Sequence, residues 1–514
     1  MLCAGLIWQK DGEYKVPSTE YVALTLPTVR ICLPLFAMKH LIAVAALLIT
    51  ASATAQQPPT RDEAAAAMKR AVTFFREKVS TEGGYLFRYS EDLALREGEE
   101  VTTATQAWLQ PPGTPAVGEA YLRAYERTKE KYLLDAAVET ARALVKGQLH
   151  SGCWAEFIEF DPEKRKAHGY RVDGPLTARA RNTSTLDDNK SQSATRFMMH
   201  VDRALGFKDP SIHEATLYAL DGLMKAQYPN GAWPQRFSTP PNAAEYPVVK
   251  ASYPDTWPRT FPGVNYSGFY TLNDNAQADV IATLFEAAEI YGDARYSASA
   301  RRGGDFLVLA QMPEPQPAWS QQYNVQMQPA WARKFEPASI TGGESQGAIR
   351  ILMDVYRYTG DKKYLEPIPR ALDYLEKSQL PGGRMARFYE LKTNRPLYFT
   401  KQYELVYTAD DVPTHYAFII DSRVASLRAE YEKLAATDPA KLKPTPQPEK
   451  LDLSSAVTSG ARRAIDALDA RGAWVEDGRL RANGQPQNNV NRVITSQSFI
   501  RNLDALSRFV GASK

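Results

Sequence analysis

The stretch YLRAYERTKEKYL at residues 121–133 continues through Ala136, Ala137, Ala141 and Leu144 to Gln148 and then to Gly152-Cys153-Trp154. Its apolar residues return at steps of three and four, the helical period. The same unit recurs three times. A copy around Ile212 ends at Gln227 and Gly231-Ala232-Trp233, and a copy from Tyr291 to Tyr296 leads to Gln311 and Trp319. The third, YTGDKKYL at 358–365, leads to Gln379 and Gly382-Gly383. Each reads as a helix, a tight turn and a second helix, with Gly, Asp and Pro marking the turns. No strands are indicated. Weaker copies run from Ala64 to Gly84-Tyr85 and from Ala461 to Gly472-Ala473-Trp474, which gives about six helical pairs.

Helical pairs that bury one face against their neighbours either stack as an open solenoid or close into a ring. The reading is an all-α fold, an α/α toroid of about six helical hairpins, in which loops following the inner helices gather at one end and carry Trp154, Trp233 and Trp319. A tryptophan in such a loop either packs in the core, as most do, or offers its face to a sugar ring. Long insertions rich in proline and aromatic residues, 237–271 and 395–414, are expected to form the rim of a substrate cleft. The toroid is expected over 56–437, followed by a Pro-rich connection at 438–450 and a C-terminal helical segment at 451–514 that completes it.

The chain has 514 residues, 44% hydrophobic and 24% charged, with a formal net charge of +3 and no long basic run. That balance leaves no electrostatic footprint for nucleic acid or an anionic membrane, so local basic sites must meet any acidic ligand. Near the start, Met38-Lys39-His40 precedes an apolar run from Leu41 to Thr50 and the small-x-small pattern Ala53-Thr54-Ala55. This is the pattern of a secretory signal over 38–55, with translation starting at Met38 and residues 1–37 a mis-assigned upstream extension. The mature chain would begin near Gln56 and be exported as a monomer with no membrane span. It would keep only Cys153, so no internal disulfide is expected. The scattered His150, His168, His200, His213 and His415 form no His-x-x-x-His pair, and zinc chemistry is not expected.

Polar residues concentrate at the ends of apolar helices in four places. These are Thr185-Leu186-Asp187-Asp188-Asn189, Leu272-Asn273-Asp274-Asn275-Ala276, Trp331-Ala332-Arg333-Lys334-Phe335-Glu336 with Glu344 beyond it, and Arg384-Met385-Ala386-Arg387-Phe388-Tyr389-Glu390 leading to Arg395. An aspartate at a helix start is commonly an N-cap, but Asp187-Asp188 is more carboxylate than a cap needs. Carboxylate and amide oxygens without cysteine or paired histidine suit a hard cation such as Ca²⁺. Arg333, Arg387 and Arg395 either bridge helix ends or match the carboxylates of an acidic sugar.

Taken in order, Asp187-Asp188 with Arg196-Phe197, Gln227-Tyr228-Pro229-Asn230-Gly231-Ala232-Trp233-Pro234-Gln235, Leu272 to Ala276, Gln321-Gln322, Ala332 to Ser339 and Ala386 to Glu390 resemble the polysaccharide lyase family 10 pectate lyases over roughly residues 120–400. The resemblance implies a helical, toroid-like enzyme that cleaves polygalacturonate by β-elimination with calcium. It implies calcium-binding and substrate-bridging roles for Asp187 or Asp188 and for Asp274, the role of base for Arg387, and a substrate-carboxylate partner in Arg333. It also sets Trp233, Asn230, Arg395, Gln322 and Asn275 against the polymer. The chain departs from the family at Lys190-Ser191, where Ala-Thr is usual, at Tyr323-Asn324, where histidine and aspartate are expected, and after Arg395. Two other readings use the same residues. One is a glycoside or uronyl hydrolase with two of Asp187, Asp188, Asp274, Glu336 and Glu344 as acid and base. The other is a sugar-binding protein presenting Trp154, Trp233 and Trp319 along a groove.

Overall fold

The computed structural model describes residues 57–442, 449–482, 485–487 and 490–513. The upstream extension 1–37, the signal 38–55, the expected start at Gln56 and the middle of the 438–450 connection lie outside the described residues. Among the described residues there are twelve α-helices: α1 (Arg61–Phe74), α2 (Thr114–Thr128), α3 (Lys131–Gly147), α4 (Lys190–Ala204), α5 (Pro210–Lys225), α6 (Ala276–Tyr291), α7 (Ala294–Ala310), α8 (Gly342–Thr359), α9 (Ile368–Lys377), α10 (Val424–Ala435), α11 (Ser455–Asp466) and α12 (Ser496–Ala512). None is long and apolar enough to cross a membrane.

The even-numbered helices pack side by side in the order α12, α2, α4, α6, α8, α10, and the odd-numbered helices lie outside them against their hairpin partners. Because α12 rests on α2, the end of the chain returns to its beginning, and the architecture is an α/α toroid. The residue patterns explain which helix goes where. In α3, burial falls at Leu133, Ala136, Ala137, Thr140, Ala141 and Leu144, a stripe with one face left for water. In α6, every residue from Ala276 to Ile281 is buried, as an inner helix requires. Two of the hairpin turns are set by Gly-Asp pairs. Gly292 and Gly360 end α6 and α8 at φ of 69° and 67°, and the carboxylates of Asp293 and Asp361 then accept from Arg295 N and Lys363 N.

The recurring Gln and Trp of the repeat are structural. The indole Nε1 of Trp154, Trp233, Trp319 and Trp474 donates to the carbonyls of Leu144, Leu223, Leu307 and Ala464, at 2.8, 2.7, 2.8 and 2.8 Å. Those carbonyls belong to the last turns of α3, α5, α7 and α11, where a helix leaves its carbonyls without intrahelical partners. The glutamines stitch each outer helix to the next. Gln148 Nε2 donates to the carbonyls of Gly152 and Ala215, Gln227 Nε2 to those of Gly231 and Ser299, and Gln311 Nε2 to those of Pro317 and Pro367. Gly231, at φ 93°, allows this close approach, since a Cβ there would stand 1.9 Å from the carbonyl oxygen of Arg302.

Two expectations are corrected. The tryptophan loops follow the outer helices and run into the inner ones, the reverse of the sequence reading, because each indole caps an outer helix. Strands do occur among the described residues, but they are two to four residues long, too short to register as period-two alternation. They pair where loops cross at the rim: Ser184–Thr185 with Arg236–Phe237, and Tyr270–Thr271 with Gln322–Tyr323. The 395–414 insertion also contains strands, Pro396–Phe399 and Leu405–Val406, over a separate apolar cluster of Trp331, Phe388, Leu397, Tyr398, Phe399 and Phe418.

Candidate functional site

The entrances to α4 and α6 share one backbone shape. Asp188 and Asn189 have φ of 49° and 59°, and Asp274 and Asn275 have 51° and 57°. Two successive left-handed residues explain the Asp-Asn pair, since these side chains tolerate that region best after glycine. Neither N-cap, Asn189 or Asn275, makes a side-chain capping bond. The two entrances lie against each other, and carboxylate oxygens of Asp187, Asp188 and Asp274 all come within 4.8 Å of one another. Among the described residues this is the only such acidic or histidine cluster of metal-ligating type.

Electrostatics divides the three. Burial, then the charges of Asp187 and Asp188, push the Asp274 carboxyl well above its ordinary range. Burial acts the same way on Asp187, but Lys190 foremost outweighs it and holds that carboxyl low. Asp274 accepts from Asn273 Nδ2 at 2.8 Å and from Arg333 Nη2 at 3.3 Å. Asp187 Oδ1 is buried with no hydrogen-bond partner among the described residues. A buried, unpartnered carboxylate oxygen beside two further carboxylates is the donor set of a hard cation, and calcium's preference for several oxygens fits it.

A chain of polar contacts leads away from Asp274. Arg333 lies between Asp274 and Glu336 and donates through Nε to Tyr266 Oη at 3.3 Å. Tyr416 Oη donates to Glu336 Oε1 at 3.1 Å, and the Arg387 guanidinium lies over the Tyr416 ring, 4.6 Å from its centroid. Arg387 also donates to the Ala417 carbonyl at 2.7 Å and stands 3.9 Å from Glu344. Burial alone would lower the Arg387 guanidinium, but Tyr416 and Glu344 outweigh it and raise it above its ordinary value. Asp187, Asp188, Asp274, Arg333 and Arg387 are thus linked by one chain of contacts, the aspartates from the entrances to α4 and α6 and the arginines from the loops before α8 and after α9.

The other sequence-predicted residues distribute differently. Trp233 is fully buried, and so are Trp154 and Trp319, which overturns the sugar-stacking expectation. Asn230 is buried in its turn, where its Oδ1 accepts from Ala232 N. Asn275 is exposed beside Asp274. Gln322 is buried opposite Thr271, with neither amide atom partnered among the described residues. Arg395 lies outside this contact chain, with its guanidinium 3.4 Å from the centroid of the Tyr407 ring. That ring's hydroxyl donates to Glu390 at 2.7 Å, and Glu390 also binds Arg259. The sequence reading missed Tyr266 and Tyr416, which sit in loops without periodicity, and gave no role to Lys190.

The pectic acid lyase family model matches residues 148–355. That interval contains the three aspartates and Arg333 and ends before Arg387. No curated protein sequence matches the chain. Among solved structures, it is similar to a family 10 polysaccharide lyase from Cellvibrio cellulosa at 19% identity, covering 62% of this chain and 96% of that one with a TM-score of 0.42. It is also similar to a D-mannose isomerase, at 12% identity over 87% and 97% of the two chains with a TM-score of 0.43. The same holds for cellobiose 2-epimerase from Spirochaeta thermophila, at 12% identity over 88% and 96% with a TM-score of 0.42.

Proposed function

We propose that this protein is an exported, monomeric, calcium-dependent polysaccharide lyase that cleaves a polygalacturonate-type chain by β-elimination. The observation that carries the reading is the convergence of Asp187, Asp188 and Asp274 within 4.8 Å, next to the guanidinium of Arg333 and inside the stretch that matches the pectic acid lyase family. Asp187, Asp188 and Asp274 would hold the cation, whose bound charge withdraws electrons from a uronate carboxylate and so acidifies the neighbouring C5–H. Arg333, already oriented by Asp274, Glu336 and Tyr266, pairs with a substrate carboxylate and spreads the negative charge that grows as the proton leaves. Arg387 takes the C5 proton, the C4–C5 double bond forms, and the C4 glycosidic oxygen departs. Asn275 and Arg395, both exposed, are the remaining candidates for holding flanking sugars.

Arg387 is held protonated by Tyr416 and Glu344, so its unprotonated fraction grows with pH throughout the neutral and alkaline range. Turnover should therefore rise with pH without reaching a plateau on the alkaline side, and Arg387→Ala should lower kcat by about 10²- to 10⁴-fold. Stopped-time assays of the unsaturated product, followed by its ultraviolet absorbance with calcium and then with excess chelator, test the whole reading. A chelator-sensitive rise is expected; new reducing ends without that absorbance would refute elimination.

A hydrolase is the second reading, favoured by one observation. Asp274 is pushed toward its neutral form while Asp187 is held ionised, the division of labour that a general acid and its partner carboxylate require. It predicts activity that survives the chelator.

A further inference from the structure

Lys190 is the only fully buried lysine among the described residues, at 1% exposure. It opens α4, directly after Asp188-Asn189, with Nζ 3.8 Å from Asp187 Oδ2 and 3.9 Å from Glu99 Oε2. Both separations exceed those of a charge-assisted hydrogen bond, so the ammonium acts on the aspartates mainly through its field. Nothing in the local fold calls for it. Burying an ammonium is costly, and a cation at a helix N-terminus opposes the helix dipole. The molecule also carries its own control. At the entrance to α6 the same two left-handed residues, Asp274-Asn275, are followed by Ala276, which is fully buried. The turn therefore forms equally well without a lysine.

Resting on the calcium reading above, we propose that Lys190 is a positioning charge that divides affinity between cation and substrate. Its fixed positive charge lowers the affinity of the aspartate cluster for a divalent cation. The same charge, added to the loaded site, strengthens its hold on the carboxylate of an acidic sugar. Removing it therefore moves the two affinities in opposite directions. Loss of structure would weaken both.

Calorimetric titration of the full chain with calcium chloride, without substrate, tests the first half for the wild type, Lys190→Met, Lys190→Ala and Lys190→Arg. Titration of the calcium-saturated proteins with an oligogalacturonate tests the second. Lys190→Met and Lys190→Ala should bind calcium about tenfold more tightly and the oligogalacturonate several-fold more weakly, as follows from deleting a charge a few ångströms from the site. Lys190→Arg should resemble the wild type in both. Unchanged or weaker calcium binding by Lys190→Met and Lys190→Ala, with melting temperatures like the wild type's, overturns the inference while leaving the lyase reading intact. No calcium uptake by the wild type or any variant overturns the metal role of the aspartates and this inference with it.

Discussion

Asp274 shows what the site costs the fold. Its carboxyl is pushed up by burial and by Asp187 and Asp188, so each step in pH above the ordinary carboxylate value drives an ionisation that the native state resists and the unfolded chain accepts freely. Stability in chelator should consequently fall as pH rises from about 4 toward neutrality. Asp274→Asn, which keeps the shape and removes the charge, should melt at a higher temperature than the wild type at neutral pH, with a difference that shrinks in acid. Melting curves across that range in chelator check this, and a variant less stable at neutral pH would refute it. The carboxylate positions were legible in the sequence because Asp187-Asp188 and Asp274 sit at apolar helix starts with more charge than a cap uses. Which aspartate takes the proton was not legible, since that depends also on Arg333, which reaches Asp274 from 59 residues further along the chain.

Between elements, partly buried polar contacts tie the inner helices together. His200 of α4 is clasped by Glu119 of α2, 2.9 Å from Nδ1, and by Glu286 of α6, 2.7 Å from Nε2, so one imidazolium joins three inner helices. Burial alone would lower it, but the two glutamates outweigh burial and lift it to about 10. This contribution is full below the unfolded value of 6.5 and is lost as pH rises toward about 10. The glutamates are themselves held below 4.5, so their share is lost as pH falls beneath that value. His200→Ala should cost about 3 kcal/mol by leaving two partly buried carboxylates uncompensated. Chemical denaturation should find the difference from wild type largest between pH 4.5 and 6.5. In sequence His200 was one of five scattered histidines beyond the expected signal, and neither glutamate lies near it along the chain. Trp233 gives the opposite case: its recurrence was plain, its purpose was not, because a core rivet and a sugar platform have the same spacing. Trp233→Phe should cost about 1–3 kcal/mol, the price of a buried carbonyl left unpaired, and under the proposed lyase reading KM for polygalacturonate should be unchanged in steady-state assays.

At the scale of the whole molecule, the ring depends on its last helix. Arg127, at the end of α2, joins Glu449 and Asp504 of α12 at 2.8 and 2.7 Å and also donates to Ser507 Oγ at 2.9 Å. These contacts span more than three hundred residues of sequence and fasten the C-terminal segment to the start of the toroid. Arg127→Ala should destabilise the protein by about 3 kcal/mol as one cooperative unit; separate unfolding of residues beyond 449 in hydrogen exchange would contradict a closed ring. The number of hairpins and the choice of a ring over an open solenoid were both read from the sequence and are borne out by α12 packing on α2, whereas the contacts that fasten the ring were not legible, because the repeat pattern does not say which side chains meet there. The four indoles that cap outer helices carry a spectroscopic consequence. Trp154, Trp233, Trp319 and Trp474 are at most 5% exposed, and of the tryptophans in the described residues only Trp257 is half-open to solvent. Native emission should be blue-shifted and nearly indifferent to added sugar, turning red only when helices part. Fluorescence would then serve as a gauge of helix-end integrity repeat by repeat, and a faint one for ligand.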